Sequence, residues 1–116
     1  MDLTEKCLES REVYKGRVLR LRVDAVALPN GKTSLREVVE HPGGVAVFAM
    51  DGQGRVALVR QFRYPLGEVT LELPAGKLEP GEDPRASGLR ELAEETGLTP
   101  GTFLPLGSIA SSPGIL

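Results

Sequence analysis

The stretch GKLEPGEDPRASGLRELAEETGL, residues 76–98, decides the fold of this 116-residue chain. Pro84 suits the first turn of a helix, where its missing N–H costs no hydrogen bond. Gly97 suits the left-handed conformation that often ends a helix. The pattern therefore predicts a helix over residues 83–96, with a glycine-rich loop before it.

The predicted helix has two unlike faces. At about 100° per residue, one side collects three carboxylates: Glu91, Glu94 and Glu95. The opposite side collects small and apolar residues and is expected to face the core: Ala86, Leu89, Leu92 and Ala93. Carboxylates at this spacing repel one another, and the helix dipole disfavours them near its C-terminal end. A solvated acidic face is one interpretation, and a site for a hard divalent cation is the other.

Short strands flank this helix on both sides. Alternating or continuous apolar runs bounded by Gly and Pro predict strands. The predicted strands cover residues 11–17, 18–28, 34–40, 44–50, 55–62, 69–73 and 103–110. Asn30-Gly31 readily supplies the positive φ that a tight hairpin turn needs. Many strands around one clear helix indicate an α+β domain.

Composition limits the classes of protein that this chain can be. Hydrophobic residues make up 41% and charged residues 26%, as is typical of a globular domain. The net charge of −2 argues against a mainly electrostatic nucleic-acid binder. The single Cys7 cannot form an internal disulfide, and no stretch has the pattern of a signal peptide or a membrane helix. We therefore expect a cytoplasmic protein with neither a nucleic-acid nor a membrane partner.

The helix and its loop resemble the Nudix box of hydrolases that act on nucleoside diphosphates linked to another moiety. That signature is Gly, five residues, Glu, seven residues, Arg-Glu, an aliphatic residue, any residue, Glu-Glu, any residue, Gly and an aliphatic residue. Every specified place is filled here: Gly76, Glu82, Arg90, Glu91, Leu92, Glu94, Glu95, Gly97 and Leu98. A match over this many positions makes the resemblance specific.

Other segments resemble the ADP-ribose pyrophosphatase branch of that family. These segments are residues 28–31, 36–37, 58–63, 73–76 and 112–114. The spacing is also similar, because Pro113 lies 15 residues after Leu98, as in that branch. The resemblance therefore covers most of the chain, although it is less specific for the branch than for the family.

The resemblance implies a fold and an activity. The fold would be the α+β Nudix fold, a mixed β-sheet with the box helix in an α/β/α sandwich. The activity would be hydrolysis of ADP-ribose to AMP and ribose 5-phosphate with Mg²⁺ or Mn²⁺, with more than one ion. Two alternatives stay open. One is another nucleoside diphosphate substrate, such as a different ADP-sugar, NADH or FAD, and the other is a module that binds ADP-ribose without hydrolysing it.

Residue by residue, the resemblance places metal ligands at Glu91, Glu95 and the backbone carbonyl of Ala75. Glu94 is a further ligand or holds a water molecule, and Arg90 completes the catalytic group. Three residues would support the structure of the box: Gly76, Glu82 and Gly97. Glu82 would do so as the partner of Arg90.

The resemblance also places a small-molecule nucleotide substrate against several residues outside the helix. They are Arg36, Glu37, Arg63, Lys77, Ser112, Pro113 and Gly114. A guanidinium fork such as that of Arg63 suits phosphate oxygens. For each of these residues the alternative is an ordinary exposed side chain or turn.

We expect one Nudix hydrolase domain over residues 1–116. Residues 1–42 would form N-terminal strands, which in this branch commonly support a homodimer, and residues 43–116 would form the Nudix core. In this branch an acidic residue, a later glutamate, a last strand and a closing helix follow the loop at 112–114. Since residues 96–116 carry no charge, we expect the C-terminal part of the fold, with the general base, to be missing.

Overall fold

The computed structural model describes residues 1–116 as seven strands and one helix. They form two compact units. The first unit is Met1–Pro42 together with Gly107–Leu116, and the second is Gly43–Leu106.

The first unit is an antiparallel meander of three strands. Strands β1 (Lys6–Lys15), β2 (Arg20–Ala27) and β3 (Thr33–Glu40) lie in the order β1-β2-β3. Gly31, with φ 81°, forms the turn between β2 and β3, so the hairpin predicted at Asn30-Gly31 is confirmed.

Strand β2 is the centre of this meander and carries its buried residues. Asp24 is buried and accepts hydrogen bonds from Ser10 Oγ at 2.6 Å and Arg22 Nε at 3.0 Å. These bonds hold the pKa of Asp24 below its usual value, and the bond from Ser10 has the largest effect. At the outer edge of β3, the Val39 N–H donates to the Ile115 carbonyl at 2.6 Å. Every residue of β1 is exposed.

The second unit contains two hairpin-like sheets and the helix. Strand β4 (Gly44–Ala46) pairs with β7 (Ala75–Lys77), and β5 (Val59–Arg63) pairs with β6 (Glu68–Glu72). Between β4 and β5, Met50 and Val56 form an isolated antiparallel bridge. The chain reverses direction between them, where the Asp51 carboxylate accepts hydrogen bonds from the Gln53 and Arg55 backbone N–H groups. The strands predicted over 44–50 and 55–62 are therefore shorter than expected.

The strand predicted over residues 103–110 is wrong, because this segment is irregular. No neighbouring strand pairs with its backbone, and a β-strand needs such a partner. Leu104 and Leu106 are exposed, and Gly107 has φ 127°. The apolar composition of this segment was therefore not enough to make it a strand.

The α+β class is confirmed, with one helix α1 (Pro84–Thr96) and strands in three small sheets. Every strand pair is antiparallel. Residues 1–116 thus supply the strands and the box helix of the expected fold. No helix has the length and apolar character that crossing a membrane requires.

Helix α1 begins and ends where the sequence predicts. Asp83 is the N-cap residue, with extended backbone, and its Oδ2 accepts from the Ala86 N–H at 3.2 Å. Gly97 adopts φ 74° and donates its N–H to the Ala93 carbonyl at 2.9 Å. Both ends therefore satisfy backbone groups that a helix leaves unpaired.

The buried face of α1 differs from the predicted one. Ser87, Gly88 and Leu92 are buried, whereas Ala86 and Ala93 are exposed. The helix is thus rotated so that the side carrying Glu91 faces β4 and β7. Small residues explain the rotation: a Cβ on Gly88 would lie 3.0 Å from Phe103 and 3.4 Å from Val47. The helix approaches the sheet through its smallest residues, not its most apolar ones.

We predict that Asp83→Ala destabilises the second unit, because it removes the acceptor that caps α1. The expected loss is about 1 kcal/mol in the free energy of unfolding, measured by urea denaturation with far-ultraviolet circular dichroism. Asp83→Asn is the matched control and should retain most of the stability, since its amide oxygen can also cap. Equal stability of Asp83→Ala and the wild type would contradict this role.

Candidate active site

Strand β7 presents one backbone edge that is free of β4. The Val47 N–H donates to the Pro74 carbonyl at 2.8 Å, and the next pair along is Ala46 with Ala75. Bonded and non-bonded pairs alternate along an antiparallel ladder. The N–H and carbonyl of Ala75 therefore face away from β4.

Two carboxylates from α1 reach this free edge. The Ala75 N–H donates to Glu95 Oε2 at 3.3 Å. At the next residue, a Cβ on Gly76 would overlap the carboxylate of Glu91, which is only 14% exposed. Glu91 and Glu95 therefore converge on the same two residues of β7, and a side chain at position 76 would displace the Glu91 carboxylate.

Arg90 neutralises part of this acidic group. Its Nη2 lies 3.1 Å from Glu82 Oε1, and its Nη1 lies 3.1 Å from Glu91 Oε1 and 3.3 Å from Glu94 Oε2. These carboxylates, that of Glu82 first, raise the pKa of Arg90. Arg90 thus offsets the repulsion that the sequence pattern implies.

Glu82 fixes the glycine-rich loop to the helix. Its carboxylate accepts from the Glu79 N–H at 3.0 Å as well as from Arg90. The Glu79 bond is the largest cause that holds the pKa of Glu82 below its usual value. The Glu82 carboxylate is therefore occupied by hydrogen bonds to the loop and to Arg90.

Glu94 differs from the other two acids of the helix. Its side chain is 59% exposed, and its one ion pair is with Arg90. Of the three acids that the helical wheel groups together, the structure brings Glu91 and Glu95 to β7. Glu94 points toward solvent beside them.

The residues at this edge suit a hard divalent cation. The available donors are the carboxylates of Glu91 and Glu95 and the carbonyl of Ala75, which are all oxygens, as such ions prefer. No group of three or more His, Cys, Asp or Glu side chains is placed for a metal in the chain. The fit therefore depends on two carboxylates and a backbone carbonyl.

A second cluster lies on the β5–β6 hairpin around Arg63. Arg63 Nε donates to Glu72 Oε2 at 2.7 Å, and its Nη2 donates to Glu72 Oε1. The Thr70 hydroxyl donates to the same carboxylate. Arg63 first, and Thr70 second, lower the pKa of Glu72 to about 2. The carboxylate therefore stays ionised throughout the neutral range.

Sequence reasoning singled out Arg63 but missed Glu72 and Thr70. The register pairs Arg63 with Glu68, and side chains two residues apart share a face of a strand. Glu68, Thr70 and Glu72 therefore lie on the face of Arg63. The alternation in β6 indicates that Glu68, Thr70 and Glu72 share one face. The sequence pattern does not indicate the register that places this face beside Arg63.

The other predicted substrate residues are divided between the units. Lys77 is exposed at the end of β7 in the second unit. Arg36, Glu37 and residues 112–114 belong to the first unit. There Arg36 donates Nε and Nη2 to Glu5 at 2.9 and 2.6 Å, Glu37 is exposed, and 112–114 form a turn.

A cavity of about 650 Å³ in the second unit contains none of the predicted site residues. Its lining is mainly apolar and includes Val47, Phe48, Met50, Leu92 and Phe103. Its titratable lining residues are Asp51 and Arg55, which form an ion pair with each other. The β7 edge and the Arg63 cluster therefore remain the places where the chemistry is concentrated.

Comparison with known proteins places the chain among nucleotide hydrolases. Residues 40–114 match the NUDIX domain, and residues 5–39 match the nucleoside diphosphate sugar hydrolase N-terminal domain. The chain is 51% identical to the methanol dehydrogenase activator of Bacillus methanolicus, over 95% of the chain and 60% of that protein. It is 47% identical to the ADP-ribose pyrophosphatase of Bacillus subtilis (strain 168), over 97% of the chain and 60% of that protein.

A solved structure titled as an ADP compounds hydrolase shares the fold. The TM-score is 0.86 at 20% identity, and the match covers 99% of this chain and 63% of that one. The chain thus spans about 60% of the length of the curated relatives it matches. Because the NUDIX match covers well over half of the chain and contains the complete box, the chain belongs to the Nudix family.

Proposed function

We propose that this chain carries the metal-dependent site of an ADP-ribose pyrophosphatase, which converts ADP-ribose and water to AMP and ribose 5-phosphate. The observation that carries the proposal is the convergence of Glu91 and Glu95 on Ala75 and Gly76. The similarity to an ADP-ribose pyrophosphatase over nearly the whole chain supports it.

The chemical difficulty in this reaction is the negative charge of the diphosphate, which repels a nucleophile. When bound, Mg²⁺ or Mn²⁺ supplies charge neutralisation and a more acidic water. Glu91, Glu95 and the Ala75 carbonyl would hold it, and the exposed Glu94 would supply an oxygen for a further ion or for a water. The water oxygen bonds to phosphorus as the bond from that phosphorus to the bridging oxygen breaks.

The residues around the carboxylates bind and orient. Arg90 holds Glu82, Glu91 and Glu94 together, so that the acids keep their places on the helix. Arg63 and Lys77 would donate to phosphate oxygens. As the family resemblance implies, Arg36, Glu37 and residues 112–114 would contact the adenine and ribose groups.

A second candidate keeps this site and changes the substrate to another nucleoside diphosphate derivative, such as a different ADP-sugar, NADH or FAD. It is favoured by the chemistry of the β7 edge, which provides contacts for a diphosphate but none that select the group beyond it. The relative at 51% identity also carries a name other than pyrophosphatase. Turnover of a substrate panel at fixed Mg²⁺ separates the two candidates.

We also propose a homodimer formed through the N-terminal strands. Strand β1 lies at the edge of its sheet and is exposed throughout. Its large apolar residues include Leu8, Val13 and Tyr14, which are 59%, 47% and 59% exposed. An exposed edge with apolar side chains is a template for pairing with another chain.

We infer a cytoplasmic setting from the one free cysteine, the exposed Cys7.

We predict that the protein releases AMP from ADP-ribose with Mg²⁺ and that Glu95→Gln lowers this turnover by about 100-fold or more. Loss of an outer partner of a metal ligand already costs about 10–100-fold, and a ligand should cost at least as much. Glu79→Gln is the matched control, because its exposed side chain makes no ion pair. Undiminished turnover in Glu95→Gln would remove Glu95 from the mechanism, and wild-type inactivity on ADP-ribose would contradict the proposed substrate.

We predict that the wild-type protein sediments as a dimer and that the double change Leu8→Lys, Val13→Lys shifts it to a monomer. The two lysines replace exposed apolar side chains of β1 with charge, which disfavours pairing with another strand. Analytical ultracentrifugation measures the shift, and Glu9→Gln on the same strand is the control. A monomeric wild type, or a dimeric double variant, would refute this interface.

A further inference from the structure

We propose that Glu72 is a positioning residue: it holds one edge of the Arg63 guanidinium so that the other edge faces the diphosphate of the substrate. This inference rests on the proposed function, because it assigns Arg63 to that diphosphate. It is carried by the bidentate contact between the two side chains and by how Glu72 is itself held.

The contact uses only part of Arg63. A guanidinium has five N–H donors in a fixed planar fork. Glu72 accepts one from Nε and one from Nη2, which leaves three. No other hydrogen bond or ion pair engages the Arg63 guanidinium, and the side chain is 43% exposed. The free donors therefore lie on the side away from Glu72 and are accessible to an anion.

Glu72 is fixed from two directions. The Thr70 hydroxyl donates to its carboxylate on the face of β6. Along the chain, Glu72 is followed closely by the buried Pro74 and then by Ala75, which bonds to Glu95. Three residues span at most about 10 Å. The anchor of Arg63 is therefore tied to the strand that receives the carboxylates of the helix.

Arg63 differs from the other arginines assigned to the site in having unpaired guanidinium donors. Arg90 contacts three carboxylates, so its charge is already balanced. Arg36 uses Nε, Nη1 and Nη2 in contacts within the first unit. Arg63 has a single carboxylate partner, and it is the site arginine that keeps unpaired, accessible N–H donors.

The test is a double-mutant cycle with Glu72→Gln and Arg63→Ala, measured as KM and kcat for ADP-ribose with Mg²⁺. Freeing a long side chain that binding must then order costs about tenfold in affinity. We expect Glu72→Gln to raise KM about tenfold with a smaller change in kcat, and to have no further effect on KM in the Arg63→Ala background. Glu68→Gln is the control, because Glu68 lies opposite Arg63 in the register but makes no ion pair with it.

Thermal unfolding of each variant separates positioning from folding. A merely structural role predicts lower stability with unchanged KM, and either that result or a full KM effect of Glu72→Gln in the Arg63→Ala background would overturn the proposal. Thr70→Val should give a smaller rise in KM, since it removes one anchor of Glu72 and leaves the ion pair. This variant keeps the test valid if Glu72→Gln fails to fold.

A binding measurement without hydrolysis distinguishes failure of this inference from failure of the proposed function. Inorganic pyrophosphate is titrated in the presence of Mg²⁺ while the Arg63 side-chain N–H signals are followed by NMR. We expect these signals to shift in the wild type, and to need about tenfold more pyrophosphate in Glu72→Gln. No response of Arg63 in the wild type would overturn the inference. A response in a protein that does not hydrolyse ADP-ribose would contradict the proposed function alone.

Discussion

The close approach of helix α1 to strand β7 is the constraint on which the rest of the site depends. Ser87 and Gly88 allow the helix to lie against the sheet, and Gly76 leaves room on the strand for the Glu91 carboxylate. The free backbone edge of Ala75 then meets Glu95. A side chain at Gly76 would displace the Glu91 carboxylate, and one at Gly88 would press against Phe103 and Val47. The glycines of the box thus set the position of the acids, as well as the turns around the helix.

Charge balance within the helix follows from the same packing. Three acids at one end of a helix repel one another and oppose its dipole. The sequence pattern left a solvated face or a cation as explanations, and the structure adds Arg90, which contacts Glu91, Glu94 and Glu82 together. Arg90 keeps the acids in place, and Glu95 has no such partner. The Glu95 carboxylate, which contacts β7 at Ala75, is thus the least neutralised of the acids on the helix.

Local features could be predicted from the sequence, and features that depend on packing could not. The cap at Asp83, the stop at Gly97 and the turn at Gly31 depend on a few neighbouring residues, and all formed. The buried face of α1 was mispredicted because a helical wheel ranks side chains by polarity, whereas close packing here favours small size. Glu72 was missed because its contact with Arg63 depends on the register between two strands.

The electrostatics of the site bear on how an anionic substrate could bind at all. The β7 edge and its neighbours hold five carboxylates, those of Glu72, Glu82, Glu91, Glu94 and Glu95, against the guanidiniums of Arg63 and Arg90. Five negative charges against these two and the exposed Lys77 of β7 still leave an excess that repels a diphosphate. In the proposed function a divalent cation therefore has to act in binding as well as in chemistry, because only added positive charge reverses the sign of the site. Arg63 alone could orient a diphosphate there, but it could not attract one.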